Sequence, residues 1–275
     1  MQPKTLNSQY NQLQENLDYL KLTKMKEQLD AILDKLHKKE LAFIEALKLL
    51  TDQEVERKKI NSINYTIKMA GFPHLKELKD FDFEFQPGID KAQLYDLATL
   101  NFLENCENIA LLGSCGVGKT HLAIALGIEA AKHGHSAYFI KANDLFVKLR
   151  KAQSENRLSH MLKTYKRYRV LIIDELGFLP ITKGDDRLLF QLLDQRYETR
   201  STIITSNVQF SDWDELFEDP RITNAILDRL LHHSHVITIL GDSYRLKVSF
   251  VLGKAVSCFE GRFFVHPYLI KSVHA

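Results

Sequence analysis

Apolar residues recur at helical spacing through residues 13–60: Leu17, Leu20, Met25, Leu29, Ile32, Leu33 and Leu36, then Leu41, Ile44, Leu47 and Leu50. Steps of three and four put these side chains on one helical face, and no Pro or Gly interrupts the stretch, so it predicts two or three amphipathic helices. Gly71-Phe72-Pro73 breaks the pattern, and Phe81-Asp82-Phe83-Glu84-Phe85 followed by Pro87-Gly88 reads as a linker into a second domain. This places a boundary near residue 80. From residue 100 the period changes to short β-branched runs at 109–112, 137–140, 170–173, 202–205 and 236–240. Helical stretches near 119–132, 143–153, 186–198 and 219–232 separate them. Strands alternating with helices predict an α/β domain of three layers, a parallel five-stranded sheet between crossover helices. The expected organisation is a small helical domain over 1–80, a larger α/β domain over 81–247 and a tail over 248–275. Internal repeats and low-complexity tracts are absent from the sequence.

At 275 residues the chain has room for just under two domains of about 150 residues. Its 45% hydrophobic and 26% charged residues are ordinary globular usage and exclude wholesale disorder. The 37 Lys and Arg nearly balance the 35 Asp and Glu, so net charge alone gives no support to a nucleic-acid partner. Distribution says more: residues 148–169 hold eight basic side chains against the single acid Glu155. Cys106, Cys115 and Cys258 form no CxxC pair, and the N-terminus has no apolar signal core, which together point to reduced thiols in a soluble, cytoplasmic protein. No stretch approaches the roughly 20 apolar residues of a membrane-spanning helix.

The chemistry concentrates in three places. Gly113, Ser114, Cys115, Gly116, Val117, Gly118, Lys119 and Thr120 match GxxxxGK[ST] in full, after a strand and before a helix. Glycines without Cβ atoms let backbone NH groups curl around phosphate, the helix N-terminus adds its positive end, Lys119 reaches the β- and γ-phosphates, and Thr120 offers its hydroxyl to magnesium. The bland alternative is a glycine-rich turn that merely precedes a helix. Further on, Val170-Leu171-Ile172-Ile173 runs into Asp174-Glu175, where Asp174 can hold magnesium and Glu175 can polarise a water for attack on the γ-phosphate. Alone, two acids at a strand end would more simply cap it; behind a complete phosphate loop they gain a role. Asn207, ending the run 201–207, can orient the attacking water or simply mark a turn.

Taken together these residues resemble a known family. The phosphate loop with His121-Leu122-Ala123, the run Ile173-Asp174-Glu175-Leu176-Gly177-Phe178-Leu179-Pro180, the strand ending in Asn207, the box Ala225-Ile226-Leu227-Asp228-Arg229-Leu230-Leu231-His232-His233 and Ser243-Tyr244-Arg245-Leu246 are similar to the IstB-type helper ATPases of insertion-sequence transposition. Their relatives are the DnaC-type helicase loaders, in the initiator branch of the AAA+ ATPases. The resemblance implies an AAA+ fold, Asn207 as the sensor-1 residue, Arg229 as an arginine finger acting on a neighbouring subunit's ATP, and Arg245 as a sensor-2-like arginine. A helical arginine paired with Asp228 or Asp219 is the plainer reading of Arg229. The basic run then falls where this branch carries an extra helix near DNA, so Lys148, Arg150, Lys151, Arg157, Lys163, Lys166 and Arg167 are candidate phosphate contacts, a solvated helical face being the alternative. Tyr165 and Tyr168 are expected to pack rather than stack on bases.

The activity implied is ATP hydrolysis with magnesium by a homo-oligomer on double-stranded DNA, without sequence preference, in the service of the transposase encoded by the same element. A helicase loader would share these motifs, and a scaffold holding ATP without turnover is opposed by Glu175. Two departures from the family pattern stand out. Ser114 and Cys115 replace its usual prolines, and residues 248–275 extend past its usual end with an apolar, poorly periodic tail. His232, His233 and His235 have no acid or cysteine at ligand spacing, and zinc is not expected there.

Overall fold

The computed structural model describes the backbone of residues 3–217, 219–251, 256–259 and 262–265 and the side chains of 7–217 and 219–247. The chain divides into two compact units, Met1–Tyr65 and Thr66–Ala275. In the first, α1 (Pro3–Tyr19), α2 (Thr23–His37) and the start of α3 (Phe43–Met69) bury Leu17, Leu29, Ile32, Ala46 and Leu50. Leu17, Leu29, Ile32 and Leu50 belong to the helical stripe read from the sequence, whereas its Leu20, Ile44 and Leu47 are exposed. Glu54, 3% exposed, is the buried charge of this unit. Its carboxylate accepts from the Lys24 backbone NH at 2.9 Å and from Arg57 Nε at 2.8 Å, so its burial is compensated.

The second unit holds a five-stranded sheet formed by β1 (Asn108–Gly113), β2 (Ala137–Lys141), β3 (Val170–Leu176), β4 (Ser201–Ser206) and β5 (Ser234–Ile239). All pairs are parallel and the order is β2-β3-β4-β1-β5. Alternation along each strand builds two cores. Val170, Ile172 and Ile203 enter one with Leu122 and Leu126 of α6 (Lys119–Lys132) and with Leu94 of α4 (Lys91–Ala98). Leu171, Ile173 and Ile204 enter the other, under α7 (Ala142–Ser154), α8 (Leu158–Arg167), α9 (Asp185–Arg196) and α10 (Pro220–Leu231). Burial on both faces explains why these strands read as unbroken apolar runs. A short α5 (Asn101–Glu104) precedes β1, and α11 (Tyr244–Val251) follows β5. The start of α10 follows capping rules: Asp219 accepts from the Arg221 NH at 2.9 Å with Pro220 at the first helical position.

The change of domain expected near residue 80 falls inside the second unit. Ala70, Phe72, Leu78 and Phe81 pack into its first core, and the Phe139 NH donates to Ala70 O at 2.8 Å, so this stretch is part of the nucleotide-binding unit and not a linker. The helix α3 runs unbroken across the division between the units, which leaves no Pro or Gly to mark it. In the tail, β6 (Val256–Phe259) and β7 (Arg262–Val265) form an antiparallel pair. Residues 252–255, 260–261 and 266–275 lie outside the described residues, as does the side chain of Cys258. No helix among the described residues is long and apolar enough to cross a membrane.

One residue absent from every motif ties the second core together. Arg196 is 1% exposed, and its guanidinium donates to Thr202 Oγ1 at 3.0 Å, to Tyr165 O at 2.7 Å, to Tyr168 O at 3.0 Å and to Ser201 O. It joins the end of α9 to the end of α8 and to β4. Arg196→Met leaves those buried acceptors unpaired, at about 1 to 3 kcal/mol each before relaxation, and should destabilise the unit by about 3 to 5 kcal/mol in chemical denaturation. Arg196→Lys should recover less than half of that, because one ammonium cannot span the four acceptors.

Candidate nucleotide-binding site

The phosphate loop leaves β1 and turns back into α6 through glycines in the left-handed region, Gly116 at φ 85° and Gly118 at φ 106°. At Gly118 the need is also steric: a Cβ there would stand 2.5 Å from the Phe81 ring. Lys119 Nζ lies inside the loop and donates to Gly113 O and Ser114 O, both at 2.7 Å. Burial pushes its pKa down. Thr120, one residue into the helix, donates its hydroxyl to Asp174 Oδ1 at 2.7 Å, and Thr205 of β4 donates to the same oxygen at 2.7 Å. Asp174 is 1% exposed, and burial raises its pKa against the opposing pull of the two hydroxyls. Magnesium prefers oxygen ligands, and the Thr120 hydroxyl beside the Asp174 carboxylate is such a pair.

Pairing between β3 and β4 shifts between Ile173 and Leu176, and Glu175 in that interval adopts φ 60°. The irregularity re-aims its side chain, as bulges do. Its backbone NH donates to Thr205 Oγ1 at 2.9 Å, and its carboxylate accepts from Lys141 Nζ, at the end of β2, at 2.8 Å. Glu175, Thr205 and Asn207 border a cavity of about 610 Å³ with Cys115 to Thr120 of the loop and with Arg245 of α11. The sequence-predicted phosphate loop, Glu175, Asn207 and Arg245 therefore meet around one space at the C-terminal ends of the strands.

The cavity has walls that motif reasoning missed. Phe81, Gln86 and His74 also line it, beside Tyr244 of the Ser-Tyr-Arg motif. The alternation over 81–85, read as a linker, is a strap: Phe81 meets His121 edge-on at 5.2 Å between centroids, Phe83 stacks on Tyr95 at 6.2 Å, and Phe85 meets Tyr244 at 5.3 Å. Lys247 Nζ donates to Asp82 at 3.2 Å and Gln86 Nε2 donates to Asp242 O at 2.8 Å, fastening the strap to the start of α11. Regular spacing of Phe was the available signal.

Arg229 does not line the cavity of its own chain. It donates to Asp194 Oδ1 at 2.8 Å and lies 4.5 Å over the Phe190 ring, a partner different from the Asp228 or Asp219 that sequence proximity suggested. The basic run splits into two groups. Arg150 donates to both oxygens of the buried Asp185, at 2.7 and 2.5 Å, so its guanidinium already holds a carboxylate while its side chain stays 35% exposed. Arg157 pairs with Glu155, and Lys148 Nζ lies 3.4 Å from the Tyr138 hydroxyl. Lys151 is exposed on α7. Lys163, Lys166 and Arg167 recur at helical spacing on α8, with Lys163 and Arg167 exposed and Lys166, four residues after the buried Leu162, half-buried. Tyr165 is buried and Tyr168 stacks on Tyr138 at 4.8 Å, so both pack.

Gly118→Ala adds both left-handed strain, about 1 to 2 kcal/mol, and a clash with Phe81. Affinity for a fluorescent ATP analogue should fall at least about tenfold, 1.4 kcal/mol corresponding to that factor. Phe81→Leu in the same chain should restore the part that comes from the ring and leave the part that comes from the backbone, giving a measurable coupling between the two positions.

Comparison with known proteins agrees with this architecture. The family described as IstB-like ATP binding protein matches residues 15–251. The insertion sequence IS232 ATP-binding protein of Bacillus thuringiensis subsp. berliner is 52% identical over 89% of this chain and 98% of its own length. The insertion sequence IS21 ATP-binding protein of Pseudomonas aeruginosa is 45% identical over 86% of this chain and 89% of its own. Among solved structures, AMPPCP-bound DnaA from Aquifex aeolicus superposes with a TM-score of 0.50 at 23% identity, covering 65% of this chain and 54% of that one, a likeness of fold. With a family match running from the N-terminal helices through α11, and relatives of this identity over nearly their whole length, the chain belongs to the IstB-like ATP binding proteins.

Proposed function

We propose that this protein hydrolyses ATP with magnesium as an oligomer on duplex DNA, and serves the transposase of the same insertion sequence in selecting where the element inserts. The observation that carries the reading is a complete phosphate cradle, with both of its carboxylates in place, in a chain 52% identical to a protein named as the ATP-binding protein of an insertion sequence.

Each residue has a task in this reading. Lys119 exchanges the carbonyls of Gly113 and Ser114 for phosphate oxygens, and the NH groups of the glycine loop hold the same phosphates. Thr120 and Asp174 hold magnesium, which when bound neutralises charge on the phosphoryl oxygens. Glu175 polarises the attacking water and Asn207 orients it from the next strand. Arg245 reaches the phosphates from its own chain, across the cavity it lines. Arg229, outside that cavity, presents its guanidinium to the nucleotide of a neighbouring copy, which makes turnover depend on assembly. The row Lys163, Lys166 and Arg167 follows DNA phosphates without reading bases, joined by Lys151.

Phosphate release in the presence of duplex DNA tests the catalytic part. Lys119→Ala should lose ATP binding, whereas Glu175→Gln should bind ATP and turn over at least about a hundredfold more slowly, the usual scale for loss of a general base. Parental turnover by Glu175→Gln would remove the assignment.

The DNA part is read from salt dependence. Log affinity should fall against log salt by about 0.9 for each phosphate neutralised, and replacing Lys163, Lys166 and Arg167 by Ala should flatten the slope by about 2 to 3 per subunit, for all sequences alike. An unchanged slope in a folded, ATP-binding triple variant returns α8 to the role of a solvated face.

A further inference from the structure

Helices α9 and α10 pack side by side, and two successive polar rungs cross between their ends. The first is Asp194 with Arg229. One turn on, in the segment after α9, Glu198 faces His232 and His233 at the end of α10. Its Oε1 lies 3.9 Å from His232 Nδ1 and 4.0 Å from His233 Nε2, too far for hydrogen bonds. The two imidazole centroids are 4.0 Å apart. One ligand atom from each of the three side chains falls within 4.8 Å of the others, and among the described residues this is the one group of three potential ligands that converges so closely. The acid that the sequence lacked beside the paired histidines is brought to them by the α9–α10 packing.

We infer that Glu198, His232 and His233 form a binding site for a divalent transition-metal ion of the zinc type, with water completing a four-coordinate shell. Two imidazole nitrogens and one carboxylate oxygen are the donors such ions prefer. Bonds of about 2.0 to 2.2 Å at tetrahedral angles need ligand atoms about 3.4 Å apart. The two gaps to Glu198 exceed this by roughly half an ångström and all three lie within 4.8 Å, distances that side chains about half exposed close by rotating. Tyr197 Oη lies 2.7 Å from His232 Nδ1, the nitrogen that faces Glu198, so an ion taken up there displaces this hydroxyl. His235 belongs elsewhere, its ring 2.9 Å from Glu107.

An ion at this site clamps the end of α10 to the segment after α9, a single turn from Arg229, and so stiffens the face on which that arginine stands. Metal binding itself requires neither ATP turnover nor DNA, and its test is independent of the function proposed above. The probe is cobalt(II), titrated into tag-free full-length protein and followed by its visible absorption, with zinc as competitor. One ion should bind per chain with a dissociation constant on the order of micromolar, and zinc should displace it. The spectrum should lack the thiolate charge-transfer band that Cys106 or Cys115 would produce. Glu198→Gln, His232→Ala and His233→Ala should each weaken binding at least about tenfold. His235→Ala should leave it unchanged, and binding of an ATP analogue by each variant checks that the exposed substitutions leave the fold intact. Equal binding by the parent and the three site variants, a thiolate band, or no saturable binding below about 100 µM overturns the site.

Discussion

The larger unit is organised around a carboxylate that water hardly reaches. Asp174 Oδ1 takes two hydroxyls, Thr120 from the first turn of α6 and Thr205 from the last residues of β4. For both to arrive, β3 must lie beside β4, and the loop after β1 must turn back sharply enough to start α6 over the end of β3. The hydroxyls favour the ionised form of Asp174 without neutralising it, while burial opposes it. A cation placed there would favour the ionised carboxylate, beside a lysine whose own charge is opposed by burial. The phosphate loop, the strand order and the irregularity that re-aims Glu175 all serve this meeting of two strands and one helix.

What could be read in advance follows from how local each feature is. The phosphate loop lies within eight consecutive residues and Asp174-Glu175 ends an apolar run, so spacing alone revealed both. The inner strands were visible because burial on both faces makes them apolar, and β5, an edge strand with Val236 exposed, because of its β-branched residues; strand ends differ by at most three residues, most at β3, which extends through Leu176. The strap over 81–85 was misread because its three Phe rings pack on His121, Tyr95 and Tyr244, partners distant in sequence. Lys141 sits one residue beyond the predicted strand, and only the β2–β3 pairing brings it to Glu175. The division of the chain at Tyr65 was invisible because a continuous helix carries no composition change across it.

Charge counting met the same limit. The eight cations of residues 148–169 are equal in composition, yet the fold sorts them by what they already hold. Arg150 meets an aspartate 35 positions away, Arg157 a glutamate two positions away, and Lys163 and Arg167 stand on an exposed face. A charge run thus gives an upper bound on the cations available to a polyanion, and long-range pairing sets the actual number.

Three arginines show how such commitments differ in kind. Arg196 gives its guanidinium to four buried acceptors, and Arg150 grips a carboxylate that is 2% exposed, so withdrawing either would strand polar groups away from water. Arg229 is paired with Asp194, whose side chain is 51% exposed. A pair of that kind contributes about 0 to 1 kcal/mol, since water readily replaces the lost partner. Arg229 is therefore held in a defined direction by Asp194 and the Phe190 ring, yet it can be drawn off at small cost. Those are the two properties that the trans role proposed for Arg229 requires: orientation before contact, and a partner that solvent can satisfy once the arginine has left.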